Sequence, residues 1–247
     1  MNNIISVILA AGKGTRMKSD LPKVLFKVGG KALVEYCVAT AKKLNPQKII
    51  VVVGYKKEMV MDALGAEVEY AIQEEQLGTG HALMQARDQI ADFYGYILVS
   101  NGDMPFISKE MFEDLYQKCK SEDASAALLT VETDNYPSWG RIVRNGNNNV
   151  KKIVEAKDAD EEELKIREKN LGVYCFKAED LFNAIEKIKS ENAQEEYYLT
   201  DVIEIMEKDG KKVDSVVTRD YKSIVGINTP DELKKAKEIL KARNENY

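Results

Sequence analysis

The chain has 247 residues, enough for one large α/β domain or two small ones. Its hydrophobic fraction of 44% suits a real core, and a formal net charge of −5 argues against a general nucleic-acid binder, so an anionic substrate must be drawn by a local cluster of cations. Three scattered cysteines (Cys37, Cys119 and Cys175) read as buried thiols rather than a disulfide frame or metal site, and no apolar run approaches membrane-spanning length.

Met1-Asn2-Asn3 has no signal-peptide n-region, which leaves the cytoplasm as the expected compartment. Residues 4–9 are an apolar run that reads as a buried parallel strand. The run opens into Ala10-Ala11-Gly12-Lys13-Gly14-Thr15-Arg16-Met17, and open α/β sheets bind ligands at such strand ends. Gly12 and Gly14 let backbone N–H groups approach phosphate oxygens. Lys13, Arg16 and Lys23, the last just after Pro22, place cations within reach of the same anion. The loop is not a dinucleotide fingerprint, because Met17 stands where a third small residue is needed, and its glycine spacing is not that of a P-loop. Alone, it also fits an ordinary βα turn.

Leu33, Tyr36, Cys37, Thr40, Ala41 and Leu44 predict a helix over 32–44, ended by Asn45-Pro46. A strand over 48–53, a helix over 57–64 and a strand over 68–72 follow. That alternation predicts a parallel sheet. The third strand runs into Gln73-Glu74-Glu75-Gln76-Leu77-Gly78-Thr79-Gly80-His81-Ala82, at the start of a helix over 79–90. Gln73 and Gln76 offer amides that donate and accept together on a base edge. A helix N-terminus with a polar lead is the plainer reading. His81, the sole histidine, is expected to pack or hydrogen-bond there rather than catalyse. A fourth strand over 96–100 leads to Asn101-Gly102-Asp103, where a carboxylate suits a hard cation such as Mg²⁺ or simply closes an Asx turn.

A helix over 109–121 and a strand over 124–131 come next. Residues 137–144 and 150–155 predict a hairpin across the turn-rich 145–149. The acidic run 158–163 leads a short helix as a solvated face. A strand over 171–176, helices over 181–188 and 202–208, a strand over 213–217 and a final helix over 231–243 complete the chain. Thr200-Asp201 is placed to cap the helix after it, and one of Tyr197 and Tyr198 is expected to pack in the core.

Leu9-Ala10-Ala11-Gly12-Lys13-Gly14-Thr15-Arg16-Met17 with Pro22-Lys23-Val24-Leu25 closely resembles the signature of sugar-nucleotide pyrophosphorylases. Within that superfamily the chain resembles the uridylyltransferase domains of bacterial N-acetylglucosamine-1-phosphate uridyltransferases, from Met1 to about Arg243. The resemblance implies a Rossmann-like, mostly parallel α/β sheet flanked by helices. It implies one nucleotidyltransferase domain over 1–247, with a small β-rich sugar-binding lobe over about 136–200. Bifunctional members add a left-handed β-helix of hexapeptide repeats with acetyltransferase activity. No such repeat occurs in this sequence, which leaves a stand-alone enzyme and a shortened bifunctional one equally open.

The implied reaction joins UTP and N-acetylglucosamine 1-phosphate into UDP-N-acetylglucosamine and pyrophosphate, with Mg²⁺ as cofactor and no nucleic-acid or membrane partner. By resemblance Arg16 and Lys23 are catalytic. Ala10, Ala11, Gly12, Gly14, Gln73, Gln76, Gly78 and Thr79 bind the nucleotide. Gly140, Glu155, Asn170, Tyr198 and Thr200 bind the sugar, and Asp103 and Asn228 hold the metal. The sequence departs from the pattern at Trp139, where a tyrosine-type aromatic is usual, and at Thr229-Pro230, which replaces a more polar pair. Glu195 stands where a glycine is usual and adds a carboxylate near the sugar pocket. Two other readings stay open: transfer to another sugar phosphate such as glucose 1-phosphate, and a non-catalytic regulatory subunit. The oligomeric state is also open.

Overall fold

The first strand, β1 (Ile4–Ala10), sends Ile5 and Val7 to one face and Ile4, Ile8 and Ala10 to the other, all of them buried. A strand buried on both faces belongs inside a sheet covered by helices on each side. The computed structural model, which describes residues 3–220 and 226–244, shows that arrangement. Met1 and Asn2, and Ile224 and Val225 ahead of Asn228, lie outside the described residues.

After β1 come a short hairpin of β2 (Lys27–Val28) and β3 (Lys31–Ala32), then α1 (Leu33–Lys43), β4 (Lys48–Val53), α2 (Lys57–Leu64) and β5 (Glu69–Ile72). Helices α3 (Thr79–Met84) and α4 (Arg87–Ile90) lead to β6 (Tyr96–Asn101), and α5 (Lys109–Ser121) leads to β7 (Ala126–Glu132). β8 (Arg141–Arg144) pairs with β9 (Val150–Val154); α6 (Glu161–Leu164) and β10 (Glu168–Lys177) follow. The chain ends through α7 (Ala178–Ile185), α8 (Asp201–Lys208), β11 (Val213–Val217) and α9 (Pro230–Asn244).

The main sheet has the order β11-β7-β10-β6-β1-β4-β5. β1 pairs in parallel with both β4 and β6, β4 with β5, and β7 with β11. The strand order therefore reverses at β1, and the carboxyl end of β1 is the switch point where such sheets open a crevice. One face is covered by α3, α7 and α8, the other by α1, α2 and α5. The three cysteines are buried and free, as expected. Among the described residues no helix is long and apolar enough to cross a membrane.

Two elements differ from expectation. β10 is ten residues long and lies antiparallel between β6 and β7, so the sheet is mixed at that point. Its register shifts between Asn170 and Tyr174, around Gly172 at φ +70. A Cβ at Gly172 would lie 2.8 Å from Asn101 Nδ2, so a glycine lets the kinked strand meet the end of β6. The single helix over 79–90 is two short helices. At their junction Gln85 and Ala86 donate to Ala82 and Leu83 in tighter i→i−3 bonds, while Ala82, Leu83, Ala86 and Ile90 stay in one core cluster. The β8–β9 hairpin pairs with β10 and so continues the main sheet.

Candidate active site

The loop after β1 turns at Gly14, which sits at φ +66, and passes through a short 3-10 turn, Thr15–Met17. Met17, which broke the dinucleotide pattern, is a buried core residue. A second 3-10 turn after Pro22, Lys23–Leu25, presents Lys23 back to the sheet. Its ammonium donates to Asn228 Oδ1 at 2.7 Å and pairs with the Asp103 carboxylate. Arg16 donates to the same Asn228 oxygen at 2.9 Å. Four groups from three distant segments thus meet at the switch point.

Each carboxyl or amide oxygen there is held in place. Asp103, 7% exposed, follows β6 through Gly102, whose N–H donates to Leu9 of β1. The N–H of Ile227 donates to the Asp103 carbonyl, tying the segment before α9 to the end of β6. Glu232 accepts from the N–H groups of Asn228 and Thr229, capping α9, while Asn228 Nδ2 donates to Gly226. Those bonds leave Asn228 Oδ1 facing Lys23 and Arg16. Asn228 is therefore both a helix-cap neighbour and a ligand candidate.

Two clefts adjoin at this point, of about 370 and 340 Å³, each large enough for a small substrate. Arg16, Asn228, Gly140, Glu155, Asn170 and Thr200 line the first. Ala10, Ala11, Gly12, Lys13, Gly14, Gln73, Gln76 and Gly78 line the second. Lys23, Asp103 and Thr79 line both. Of the catalytic, binding and metal residues that the resemblance implies, only Tyr198 lines neither. Its ring is 6% exposed and its hydroxyl accepts from Gln194 Nε2 at 2.8 Å; burial pushes that hydroxyl up to about 12. Tyr174 takes the place in the cleft, its hydroxyl accepting from Asn170 Nδ2 at 2.7 Å.

The segment expected to meet the base is more constrained than its residue types imply. Gln73, 3% exposed, donates through Nε2 to the Gly78 carbonyl at 3.1 Å and faces His81 Nδ1 at 3.0 Å. Gln76 Nε2 donates to the carbonyls of Gln73 and Glu74. Both amides turn N–H groups toward protein carbonyls. Gly78 sits at φ +111, and a Cβ there would lie 2.6 Å from the Tyr197 carbonyl. Thr79 Oγ1 accepts from the Leu199 N–H, so residues 197–199 close against α3. Tyr197 packs against the core as expected for one of the tyrosine pair.

On the other side, Gly140 is a close fit: a Cβ would lie 3.0 Å from Ile153 and 3.5 Å from Glu155 Oε2. Arg141, buried beneath it, donates to the carbonyls of Pro137 and Trp139, fixing the turn that puts Trp139 on the cleft, stacked on Tyr136 at 4.0 Å. Burial raises the Glu155 carboxyl, and Thr200 Oγ1 donates to it at 3.1 Å. Thr200 thus serves Glu155 and makes no side-chain cap to α8. Glu195 is exposed, lines neither cleft and adopts φ +56, the left-handed conformation that favours the usual glycine. Asn101, Gly172 and Gly54 were not singled out from the sequence. Asn101, read as following the strand over 96–100, is its last residue. Gly54 matters because a Cβ there would lie 2.9 Å from Gln76 Nε2 and 3.0 Å from Ala11.

Just behind this cleft, burial first and then the Glu155, Glu204 and Asp158 carboxylates push Asp201 up to about 6. A raised folded-state pKa means that the protonated form fits the fold better. The associated stability is fully present below the unfolded value near 3.8 and is lost as pH rises through about 6. Asp201→Asn removes the ionised state. The variant is expected to be about 1 kcal/mol more stable than wild type at pH 7.5, after discounting for solvent screening, with no gain at pH 3. Chemical denaturation at the two pH values measures it.

A family model described as a MobA-like NTP transferase domain matches residues 6–200. Curated relatives include the bifunctional protein GlmU of Lactobacillus johnsonii, 47% identical over 243 residues, with 98% of this chain and 52% of the relative covered. GlmU of Oceanobacillus iheyensis is 45% identical over 243 residues, covering 98% and 53%. The chain spans about half the length of these relatives. A Bacillus anthracis crystal structure assigned as a glucose-1-phosphate thymidylyltransferase, in complex with a sucrose, shares the fold at a TM-score of 0.74 and 20% identity, over 96% of this chain and 94% of that one. Matched by that family model over most of its length, with its paired clefts at the switch point of the sheet, the chain belongs to the MobA-like NTP transferase domain family.

Proposed function

We propose that the protein transfers a uridylyl group from UTP to N-acetylglucosamine 1-phosphate, releasing pyrophosphate, in the cytoplasm. The observation that carries the proposal is the pair of adjoining clefts with Lys23 and Asp103 at their junction. A nucleotide in one cleft and a sugar phosphate in the other bring two phosphates to that point. The similarity to GlmU proteins supports the choice of substrates.

A sugar phosphate has a second pKa near about 6, so its oxygen is already an anionic nucleophile at neutral pH. No side chain has to remove a proton. The obstacle is repulsion between two anions, and positioning with charge neutralisation overcomes it. Lys23 holds the acceptor phosphate and the α-phosphate together at the junction. Arg16, beside it, neutralises the leaving pyrophosphate. The Gly12–Gly14 loop orients the triphosphate, and the β8–β9 hairpin with Glu155 and Asn170 forms the lobe over about 136–200 that takes the sugar.

Nucleotidyltransferases of this family generally use a divalent metal. Asp103 and Asn228 fit Mg²⁺: they supply hard oxygens, and both already contact one cation, the Lys23 ammonium. When bound there, Mg²⁺ supplies further neutralisation of the phosphates. Pyrophosphate release from UTP with a panel of sugar 1-phosphates, with and without Mg²⁺, tests the proposal. Release with N-acetylglucosamine 1-phosphate and Mg²⁺ is expected; a clear preference for glucose 1-phosphate would overturn the acceptor.

The raised Glu155 carboxyl adds a pH signature. Its ionised form accepts hydrogen bonds from sugar hydroxyls, so KM for the sugar phosphate is expected to rise as pH falls through that raised value. The substrate phosphate also titrates, at about 6, so the comparison is with Glu155→Gln. That variant should show a KM several-fold higher at pH 8 and a shallower rise toward acid pH. Parallel KM profiles would remove Glu155 from acceptor binding.

A further inference from the structure

His81 is the only histidine in the chain, and the phosphoryl chemistry does not use it. It sits on α3 with both ring nitrogens engaged. Nδ1 is 3.0 Å from Gln73 Nε2, and Nε2 is 3.1 Å from Gln85 Nε2. A neutral imidazole accepts at one nitrogen and donates at the other, so one of the two amides must turn its oxygen inward. Gln73 is nearly fully buried, and its amide also donates to the Gly78 carbonyl at 3.1 Å. Turning it would set its oxygen against the Gly78 carbonyl oxygen at a nearly fully buried position. Gln85 is half-buried and loses only a bond to the His81 carbonyl if it turns.

We infer that His81 is a positioning residue for base recognition: with a lone pair on Nδ1 and its proton on Nε2, it locks the Gln73 amide so that only the carbonyl oxygen faces the nucleotide cleft. Both Gln73 hydrogens are then used, one on Gly78 and one on His81. An acceptor alone suits a base with a ring N–H, which uracil has at N3. Cytosine places a lone pair there and is repelled. Without His81 the amide is held at one hydrogen only and swings more freely between its two senses, so discrimination falls. This inference rests on the nucleotide reading of the second cleft.

The test has two arms. A single histidine gives one unambiguous pair of ring nitrogens in a long-range ¹H–¹⁵N spectrum of the ¹⁵N-labelled protein. The expected result is the Nε2–H tautomer; an Nδ1–H tautomer overturns the inference whatever the substrate. In the second arm, kcat/KM for UTP and CTP is compared in wild type, His81→Phe and His81→Asn. The phenylalanine variant should narrow the UTP/CTP ratio about three- to tenfold, and asparagine, whose oxygen can replace the Nδ1 acceptor, should restore it to within about twofold. An unchanged ratio in His81→Phe overturns the inference. A wild type that does not distinguish UTP from CTP overturns the reading of the base itself and this role with it, while the tautomer still reports how Gln73 is held.

Discussion

Asp103→Ala is expected to lower turnover by more than about a hundredfold, the scale of losing one major electrostatic contact in a transition state. The carboxylate is the only anion among the four groups that meet at the junction of the clefts. Without it, Lys23 keeps, among the described residues, the Asn228 amide oxygen, and Arg16 leans on the same atom. A hard dication would then be held by a neutral amide and substrate oxygens alone, in a region that already carries two positive side chains. Pyrophosphate release at saturating Mg²⁺ measures the loss, with circular dichroism to confirm that the sheet is intact. Asp103→Asn keeps the shape but not the charge and should be nearly as poor. Near-normal turnover in either variant would remove Asp103 from the mechanism.

Gly14→Ala should cost about as much as losing the Lys23 ammonium, again on the order of a hundredfold. Two effects combine. Gly14 sits at φ +66, where an alanine costs about 1 kcal/mol. Its new Cβ would also lie 2.5 Å from Lys23 Cβ, an atom fixed to the backbone of a 3-10 turn and unable to swing aside. The turn must shift, and the ammonium leaves Asp103 and Asn228. Because both routes end in the same lost contact, Gly14→Ala combined with Lys23→Ala should be scarcely worse than the poorer single variant. Fully additive losses would show that Gly14 acts on the phosphate loop independently of Lys23.

The alternation of apolar runs and helical stripes was enough to read β1, β4, β5 and β6 with α1 and α2, because each is a local pattern, whereas the junction of α3 and α4 inside 79–90 was not legible. The position of β10 was not legible. Its antiparallel place between β6 and β7 depends on pairings with residues far along the chain, and its kink at Gly172 disguised its first residues as a loop. Much of the site was legible because the phosphate loop and the strand ends carry it. The sense of the Gln73 amide was not, since it is fixed by a carbonyl and an imidazole that sequence spacing does not orient. Nor could spacing bring Asn228 to Asp103; only the resemblance did so.

That last pairing depends on α9. Leu233, Ala236, Ile239 and Leu240 of this helix cluster with Val28 of β2, Leu33 of α1 and Phe106, and Gly29 leaves the space that Leu240 fills. Asn228 lies just ahead of the helix, anchored through Glu232. The docking of one terminal helix is therefore a local folding equilibrium with its own opening free energy, separate from that of the doubly covered sheet. Whenever the helix lifts, the first cleft loses Asn228, one of the two proposed oxygen donors, while β1 and β6 persist. Cation affinity would then be thermodynamically linked to helix closure, and a cation held by Asp103 and Asn228 would stabilise the docking of this helix most.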